Sequence, residues 1–227
     1  MEKDYILSIN GAERRFFLTS KKPFETRAAQ DGEPESSVYI KGYAALTEVP
    51  TILYENANES YEEVIAKGAF DDVLENDVRC LFNHDSNQIL GRSAAGTLTY
   101  GVDESGLFYE CMLDNTIMAH SDLYKSITRG DISQSSFAFK VKEDKMECFN
   151  NEETEKEIYK RTILKFDTLF DVSPVTFPAY ADTSVMGRSV QNVKDEMLKA
   201  KTDATEQRKA DDLFLAKQLE RKIKTNN

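Results

Sequence analysis

The sequence is short of several residue types, and each shortage narrows the range of functions. It has 227 residues but only three cysteines, two histidines and no tryptophan. The cysteines, Cys80, Cys111 and Cys148, are odd in number and widely spaced, which is typical of reduced thiols and not of a disulfide framework or a zinc site. Two isolated histidines without an i, i+4 pair offer no ligand cluster, so neither a structural metal nor a metal-dependent hydrolase is expected.

Long apolar runs and clusters of basic residues are also missing. No run of about 18 apolar residues occurs, and the first residues lack the charged-then-apolar layout of a secretory signal, so we expect a cytosolic protein with no membrane contact. The formal net charge is −11. Phosphate binding requires a clustered excess of Lys and Arg, so this charge argues against nucleic acid as the main partner and favours protein partners.

What is present indicates one globular domain with a segment appended at each end. Hydrophobic residues make up 40% of the chain, enough to bury a core. Residues 1–36 end in the polar stretch AAQDGEPESS and are interpreted as an N-terminal leader or linker. Residues 37–187 carry the patterns of a folded domain. Residues 188–227 contain no Gly or Pro and predict a helical tail that is peripheral or binds a partner.

Strands dominate the predictions within the domain. β-Branched and aromatic residues predict strands at VYIKGYAAL, DVRCLFN and SSFAFKV. The stretch GTLTYGVDESGLFYECML predicts a hairpin that turns at DESG. Strict alternation in RTILKFDTLFDVSP predicts a half-buried strand.

Helical and irregular segments are predicted between these strands. Apolar residues at helical spacing in SYEEVIAKGAFDDVLEN predict one helix, or two short pieces because Gly68 interrupts the pattern. In SDLYKSITRGD, Ser121 is positioned to cap a helix that Gly130 ends. The acidic stretch 143–157 is interpreted as a solvated surface excursion or a disordered loop.

The stretch DISQSSFAF contains three serines that are candidate nucleophiles. A period of two places Phe137 and Phe139 on one face of the strand and Ser136 on the other. With the Phe face buried, Ser136 is predicted to face outward, whereas Ser135 shares the buried face. The same argument places Asp171 opposite the apolar face of its own strand.

The two histidines are the candidate bases. His84 follows an apolar strand and begins a polar loop, where functional side chains are often presented. Strict alternation would group His84 with Cys80, so we assume that the strand ends or bends at Asn83. His120 lies just before a predicted helix cap and is interpreted as an exposed loop residue.

A serine becomes nucleophilic beside a base that a third group orients. Ser136, His84 and Asp171 supply these three residue types, but nearly every chain contains a Ser, a His and an Asp. A Cys80–His84 pair is an alternative, although a small buried hydrophobe is the commoner role of a cysteine. The loop at Gly91–Arg92 is the candidate source of amides that would stabilise an oxyanion.

Several short blocks between Val38 and Ser184 occur in a specific order and spacing, among them LFNHD…LGR, GDISQSSFAF and DVSPVTFPAY. In this combination they resemble the prohead (capsid-maturation) serine proteases of tailed bacteriophages. Carried over, the family's catalytic histidine falls on His84, and its serine, the one before Phe-x-Phe, falls on Ser136. An acidic residue usually precedes the SxVTxPA block and is here Asp171. Herpesvirus assembly proteases, which have a similar fold, use a histidine as third member, so His120 is the alternative.

The resemblance implies a mainly β fold with flanking helices, built on a β-barrel like that of the herpesvirus assembly proteases and followed by the helical tail. It implies a serine endopeptidase without a cofactor. Such an enzyme cleaves segments of scaffold and major capsid protein, and usually itself, inside the prohead in the cytoplasm of the bacterial host. Assembly proteases of related fold can depend on self-association, which leaves a homo-oligomer open.

The two ends of the chain match the family least well. They are interpreted as docking or scaffold-like segments that self-processing removes. The competing hypothesis is a non-catalytic scaffold or assembly protein, in which an inactive protease-like domain works through its acidic body and helical tail.

Overall fold

The computed structural model describes residues 13–17 and 24–177. In these ranges the chain forms eleven strands, one α-helix and two 3-10 turns. The predicted helical tail lies outside the described residues. The strands are β1 (Glu13–Phe17), β2 (Glu25–Ala28), β3 (Ser37–Leu46), β4 (Thr51–Glu55), β5 (Glu59–Ile65), β6 (Arg79–Phe82), β7 (Asp85–Arg92), β8 (Leu98–Val102), β9 (Gly106–Asp114), β10 (Gln134–Asn151) and β11 (Lys156–Val175), and the helix is α1 (Met118–Arg129).

The larger sheet is built around the long antiparallel hairpin of β10 and β11. Its strand order is β1-β10-β11-β5-β4, and the β6–β7 hairpin joins it through β11. The first half of β11 pairs in parallel with β5, whereas Asp171 and Val172 near its end pair in parallel with Arg79 and Cys80 of β6. The end of β6 therefore lies beside the end of β11, with β10 on the other side of β11.

The smaller sheet has the order β2-β3-β9-β8 and includes the predicted hairpin of β8 and β9. The carboxylate of Asp103 in its turn accepts hydrogen bonds from the amides of Ser105 and Gly106. Gly106 has φ +149, and a Cβ at this position would lie 2.2 Å from the carbonyl oxygen of Ala45. Only glycine allows the two backbones to approach this closely.

The mainly β class is confirmed, but the expected barrel is wrong because both sheets are open. Closure requires every strand to have a neighbour on each side. Among the described residues, β1 and β4 are edges of the larger sheet, and β2 and β8 are edges of the smaller one. The larger sheet branches instead of closing, since β11 divides its pairing between β5 and β6. The flanking helices reduce to α1 and the two 3-10 turns in the described part of the chain.

Aromatic side chains fill the centre of the core. Phe137 and Phe139 are fully buried, as the alternation on their strand predicts. The Phe166 ring stacks on Phe70 with 4.4 Å between ring centroids and meets Phe139 edge-on at 4.9 Å. These contacts connect β10, β11 and the segment after β5. The strands that carry Ser136 and Asp171 are therefore anchored to one core.

One local prediction is wrong and another is correct only in part, and in both cases tertiary contacts decide the outcome. Glu59–Ile65 forms strand β5, not a helix, because it pairs with β4 on one side and β11 on the other. Only Asp71–Val73 makes a 3-10 turn. The acidic stretch 143–157 is mostly exposed, as a surface excursion would be, but it forms the far end of the β10–β11 hairpin and not a disordered loop. Cross-strand pairs there, such as Glu147 opposite Lys160, offset part of its charge.

The helix predicted between β9 and β10 ends where the sequence indicates but begins earlier than predicted. Gly130 ends α1 with φ +85, as predicted. Ser121 does not cap the helix, because α1 begins at Met118 and Ser121 is buried in its first turn. No helix in the described ranges is both long enough and apolar enough to cross a membrane.

Parts of the segment interpreted as a leader belong to the sheets. Strand β1 pairs antiparallel with β10, and β2 pairs antiparallel with β3. Each is an edge strand of its sheet in the described part of the chain. The position of β1 decides the environment of the candidate nucleophile.

Candidate active site

The turn between β6 and β7 presents His84. Phe82 pairs with Asp85, so Asn83 and His84 form a two-residue turn, and both have positive φ, 54° and 57°. Hairpin turns of this length favour positive φ because it matches the twist of the flanking strands. The predicted end of the strand at Asn83 is confirmed. The reversal also removes His84 from the alternation that would have grouped it with Cys80.

The turn is held against the end of β11 by Asn83. Its backbone N–H donates to the carbonyl of Pro174 at 3.1 Å. Its side-chain oxygen accepts the N–H of Thr176 at 2.9 Å, and its side-chain nitrogen donates to the hydroxyl of the same residue at 3.2 Å. These bonds set the position of the neighbouring imidazole relative to β11.

Three of the residues singled out in the sequence come together here. The Nε2 atom of His84 lies 2.5 Å from Oγ of Ser136, and its Nδ1 atom lies 2.6 Å from Oδ1 of Asp171. Ser136 stands on β10 and Asp171 on β11, in register positions two residues apart. All three side chains are buried. Within a site of low dielectric, such hydrogen bonds are stronger than in water.

Ser173 is a fourth member that the sequence reasoning missed. Its hydroxyl donates to Oδ1 of Asp171 at 2.7 Å and lies 3.3 Å from Nδ1 of His84. It is fully buried and directly opposite Ser136 in the β10–β11 register. The available signal was the spacing of two between Asp171 and Ser173, which places both side chains on one face of a strand.

The neighbouring serine, Ser135, faces the other way, as predicted. Its hydroxyl lies 2.9 Å from the hydroxyl of Tyr109, a fully buried core residue, and donates to the carbonyl of Ser173 at 3.3 Å. Burial raises the pKa of the Tyr109 phenol well above its ordinary value, so this pair stays neutral. Ser135 therefore supports the core.

The alternative partners make other contacts. His120 accepts the backbone N–H of Asp114 at Nδ1 and bonds the carbonyl of Ile89 at Nε2, both at 3.1 Å. It therefore braces α1 against two strands. Cys80 is fully buried beside Cys111, and this burial raises the pKa of its thiol well above the ordinary value. A thiol kept neutral in this way is a poor nucleophile.

The Gly91–Arg92 segment is occupied with other partners as well. The backbone N–H of Arg92 donates to the hydroxyl of Thr97 at 2.9 Å, and its guanidinium binds Asp77 at 2.5 Å. A Cβ on Gly91 would lie 2.6 Å from the sulfur of Cys111, so this glycine packs tightly against β9. These contacts hold the segment against Asp77, Thr97 and strand β9.

Ser136 does not face outward as predicted, and its exposed fraction is 0%. Strand β1 contributes to this burial, since it pairs with β10 so that Phe16 stands opposite Ser136. The backbone carbonyl of Arg15 accepts a hydrogen bond from Oγ of Ser136 at 2.8 Å. The parity of the strand was predicted correctly, but the covering strand comes from a segment interpreted as a leader.

Comparison with known proteins gives one result that bears on this site. A family model described as caudovirus prohead serine protease matches residues 22–196, which is 175 of the 227 residues. The matched range contains His84, Ser136 and Asp171. No curated protein and no solved structure gives a significant match.

Proposed function

Since this chain belongs to the caudovirus prohead serine protease family, we propose that it is a serine endopeptidase in which Ser136 is the nucleophile and His84 the general base. Asp171 orients the base. The observation that carries the proposal is the imidazole of His84, held 2.5 Å from the hydroxyl and 2.6 Å from the carboxylate. Membership of the family supports capsid maturation as the process and capsid proteins as the substrates.

In the proposed reaction, Oγ of Ser136 attacks the carbonyl carbon of a peptide bond while Nε2 of His84 takes the hydroxyl proton. An ester forms between Ser136 and the acyl half of the substrate. The C–N bond breaks, and His84 passes the proton to the leaving amine. Water then attacks the ester with His84 again acting as base, which releases the acid and returns the proton to Ser136.

Asp171 and Ser173 would position the base. With the carboxylate at Nδ1, the neutral imidazole carries its proton there and leaves the Nε2 lone pair directed at Ser136. The same carboxylate would stabilise the imidazolium that forms when the proton arrives, because opposite charges attract strongly in a buried site. The hydroxyl of Ser173, 2.7 Å from Oδ1 of Asp171, would hold the carboxylate in this orientation.

The finer elements of the proposal concern substrates and place of action. We propose that the enzyme cleaves scaffold and major capsid protein segments inside the prohead, in the cytoplasm of the host, and that it also cleaves itself. Residues 188–227, and the part of residues 1–36 that self-cleavage releases, would be the segments lost. A homo-oligomer remains part of this proposal, with no role for nucleic acid, a membrane or a cofactor.

Substitution of the nucleophile tests this function directly. The full-length protein with Ser136→Ala is expected to remain folded and to lose all trimming of itself and of a co-expressed capsid protein, as measured by intact-mass spectrometry. Ser133→Ala is the matched control, because Ser133 is an exposed serine three residues away, and it should process like the wild type. Undiminished processing by Ser136→Ala would favour the non-catalytic scaffold instead.

A further inference from the structure

Strand β1 lies where a peptide must lie in order to reach Ser136. It is the edge strand of the larger sheet and pairs antiparallel with β10, the strand that carries Ser136. Extended peptides bind proteins by adding a strand to such an edge, where backbone groups are ready to pair. Ser136 is fully buried and its hydroxyl contacts β1, so a substrate strand that pairs with β10 at this edge must take the place of β1.

The bond between Ser136 and Arg15 shows which residue of the covering strand faces the nucleophile. Oγ of Ser136 donates to the backbone carbonyl of Arg15 at 2.8 Å. A hydroxyl has a single proton, so while it donates to this carbonyl it does not donate to His84. In this arrangement β1 lies in the position proposed for a substrate, while the hydroxyl proton is directed to the carbonyl of Arg15 and not to His84. A substrate residue in the position of Arg15 would present its own carbonyl to the serine.

The side chain of Arg15 enters a built acidic site. Its Nε and Nη2 atoms donate to the two carboxylate oxygens of Glu63 at 2.6 and 2.9 Å, a bidentate pair. Glu63 stands on β5 and is only 4% exposed. The guanidinium also lies 5.6 Å from the centre of the Phe139 ring, and apolar residues, including Ile65 and Phe137, line the same small cavity as Arg15. This site combines the buried carboxylate of Glu63, which Arg161 also contacts, with apolar walls that suit an aliphatic stem.

Removal of β1 would leave this carboxylate short of donors. Arg161 donates to Oε2 of Glu63 at 3.1 Å, whereas the hydrogen bond to Oε1 comes from Arg15. Glu13 leaves together with Arg15, since both belong to β1. Arg161 would keep its bond to Glu63, but the two bonds from Arg15 would be lost, and a strand that supplies a cation at this position restores them.

We propose that Glu63 is the specificity-determining residue of the substrate cleft, that it recognises an arginine or lysine of the bound strand, and that the peptide bond following this residue is cleaved. The inference rests on the proposed serine peptidase activity. Oγ of Ser136 forms the ester with the carbonyl carbon of the basic residue as its C–N bond breaks, and the serine proton leaves through His84 on the amine of the next residue. Arginine is favoured over lysine because only a guanidinium binds both carboxylate oxygens with a planar fork. In the chain itself, the bond selected is Arg15–Phe16.

Peptides copied from the covering strand test the proposal with the full-length protein. The set has the sequence of residues 10–20, NGAERRFFLTS, with Arg, Lys, Gln or Leu at position 15. Mass spectrometry gives the rate and the position of cleavage. We expect cleavage after position 15, at least about tenfold faster with Arg than with Gln, which corresponds to about 1.4 kcal/mol. In the Glu63→Gln variant, shown by circular dichroism to be folded, the ratio of the Arg rate to the Gln rate should fall toward one. Glu62→Gln, the adjacent carboxylate on β5, should keep the wild-type ratio.

A second variant provides an independent test if β1 competes with the peptides. Arg15→Gln should weaken the hold of β1 and accelerate cleavage of the Arg peptide, whereas Arg14→Gln, at an exposed neighbour, should not. Equal rates for the Arg and Gln peptides in the wild type would overturn the role of Glu63 and leave the protease intact. No cleavage of any peptide by the wild type or Arg15→Gln, together with no self-trimming, would overturn the protease function and this inference with it.

Discussion

At the scale of single residues, the site depends on two side chains that hold one imidazole. His84 is placed by its turn, but the orientation of its ring comes from Asp171, and the orientation of that carboxylate comes from Ser173. Asp171 and Ser173 are two residues apart on β11, whereas His84 lies 87 residues before Asp171. The proposed base is therefore positioned by the β6–β7 turn and by β11, which meet only in the folded sheet.

A series at β11 tests this positioning. Asp171→Asn keeps the shape of the side chain but favours the wrong tautomer of His84, so kcat for peptide cleavage should fall by about 10⁴-fold. Ser173→Ala removes one hydrogen bond to a charged group, which contributes about 1.5–3 kcal/mol. The kcat of this variant should therefore lie between those of Asp171→Asn and the wild type.

Asp167→Asn is the control for this series, because Asp167 stands on the same strand but its side chain is 44% exposed and pairs with Lys140. Its kcat should match the wild type. Full activity of Asp171→Asn would remove Asp171 from the proposed mechanism and would require another orienting group.

At the scale of elements, β1 connects the N-terminal part of the chain to the site by charge as well as by backbone pairing. Glu13 receives hydrogen bonds from Arg161 at 2.7 and 3.0 Å and from Arg15 at 2.6 Å. Burial by itself would raise the pKa of Glu13, but these two arginines lower it below the ordinary value of 4.5. The ionised form of Glu13 is therefore the one that holds β1 in place.

Attachment of β1 should weaken in acid. A carboxyl whose pKa is lower in the folded state stabilises that state fully above its unfolded pKa, and this contribution is lost as the pH falls through the folded pKa. Hydrogen-exchange protection of the β1 amides should therefore be constant near neutral pH and decrease below about pH 4.5. As the pH is lowered, β1 should lose its protection at a higher pH than β3.

The variant Glu13→Gln provides the comparison for this measurement. It cannot ionise, so its β1 protection should already be reduced at neutral pH and should change less between pH 7 and 3. Protection of β1 that is equal in both proteins at every pH would show that Glu13 does not hold the strand.

At the scale of the whole molecule, one aromatic core supports both strands of the site. Phe166 is fully buried on β11 and contacts Phe70 and Phe139. Because β11 also carries Asp171 and pairs with β5, β6 and β10, a defect in this core affects every strand that places a site residue.

Removal of the Phe166 ring should destabilise the entire domain. We expect Phe166→Ala to lower the free energy of unfolding by about 3–5 kcal/mol, since it removes apolar contacts and leaves a cavity. Denaturant unfolding followed by circular dichroism measures the change. Phe149→Ala is the control, because Phe149 is 48% exposed and should cost less than about 1 kcal/mol. A small loss in Phe166→Ala would mean that the core collapses around the missing ring.

The sequence alone was sufficient where local chemistry and alternation decide the outcome. Strand parity separated Ser136 from Ser135, Gly130 marked the end of α1, and DESG marked the turn of the β8–β9 hairpin. The order and spacing of the blocks around His84 and Ser136 indicated the family, which the match over residues 22–196 shows. These features depend on residues close together in the chain or on a repeated pattern.

The tertiary structure decided the features that depend on which strands become neighbours. Sheet pairing turned Glu59–Ile65 into a strand, divided β11 between two partners and so left the expected barrel open. It placed Ser173 opposite Ser136, and it covered Ser136 with β1, from more than a hundred residues earlier in the chain. A period of two predicts which face a side chain takes but not which strand lies beside it, because neighbouring strands are brought together by long-range backbone pairing.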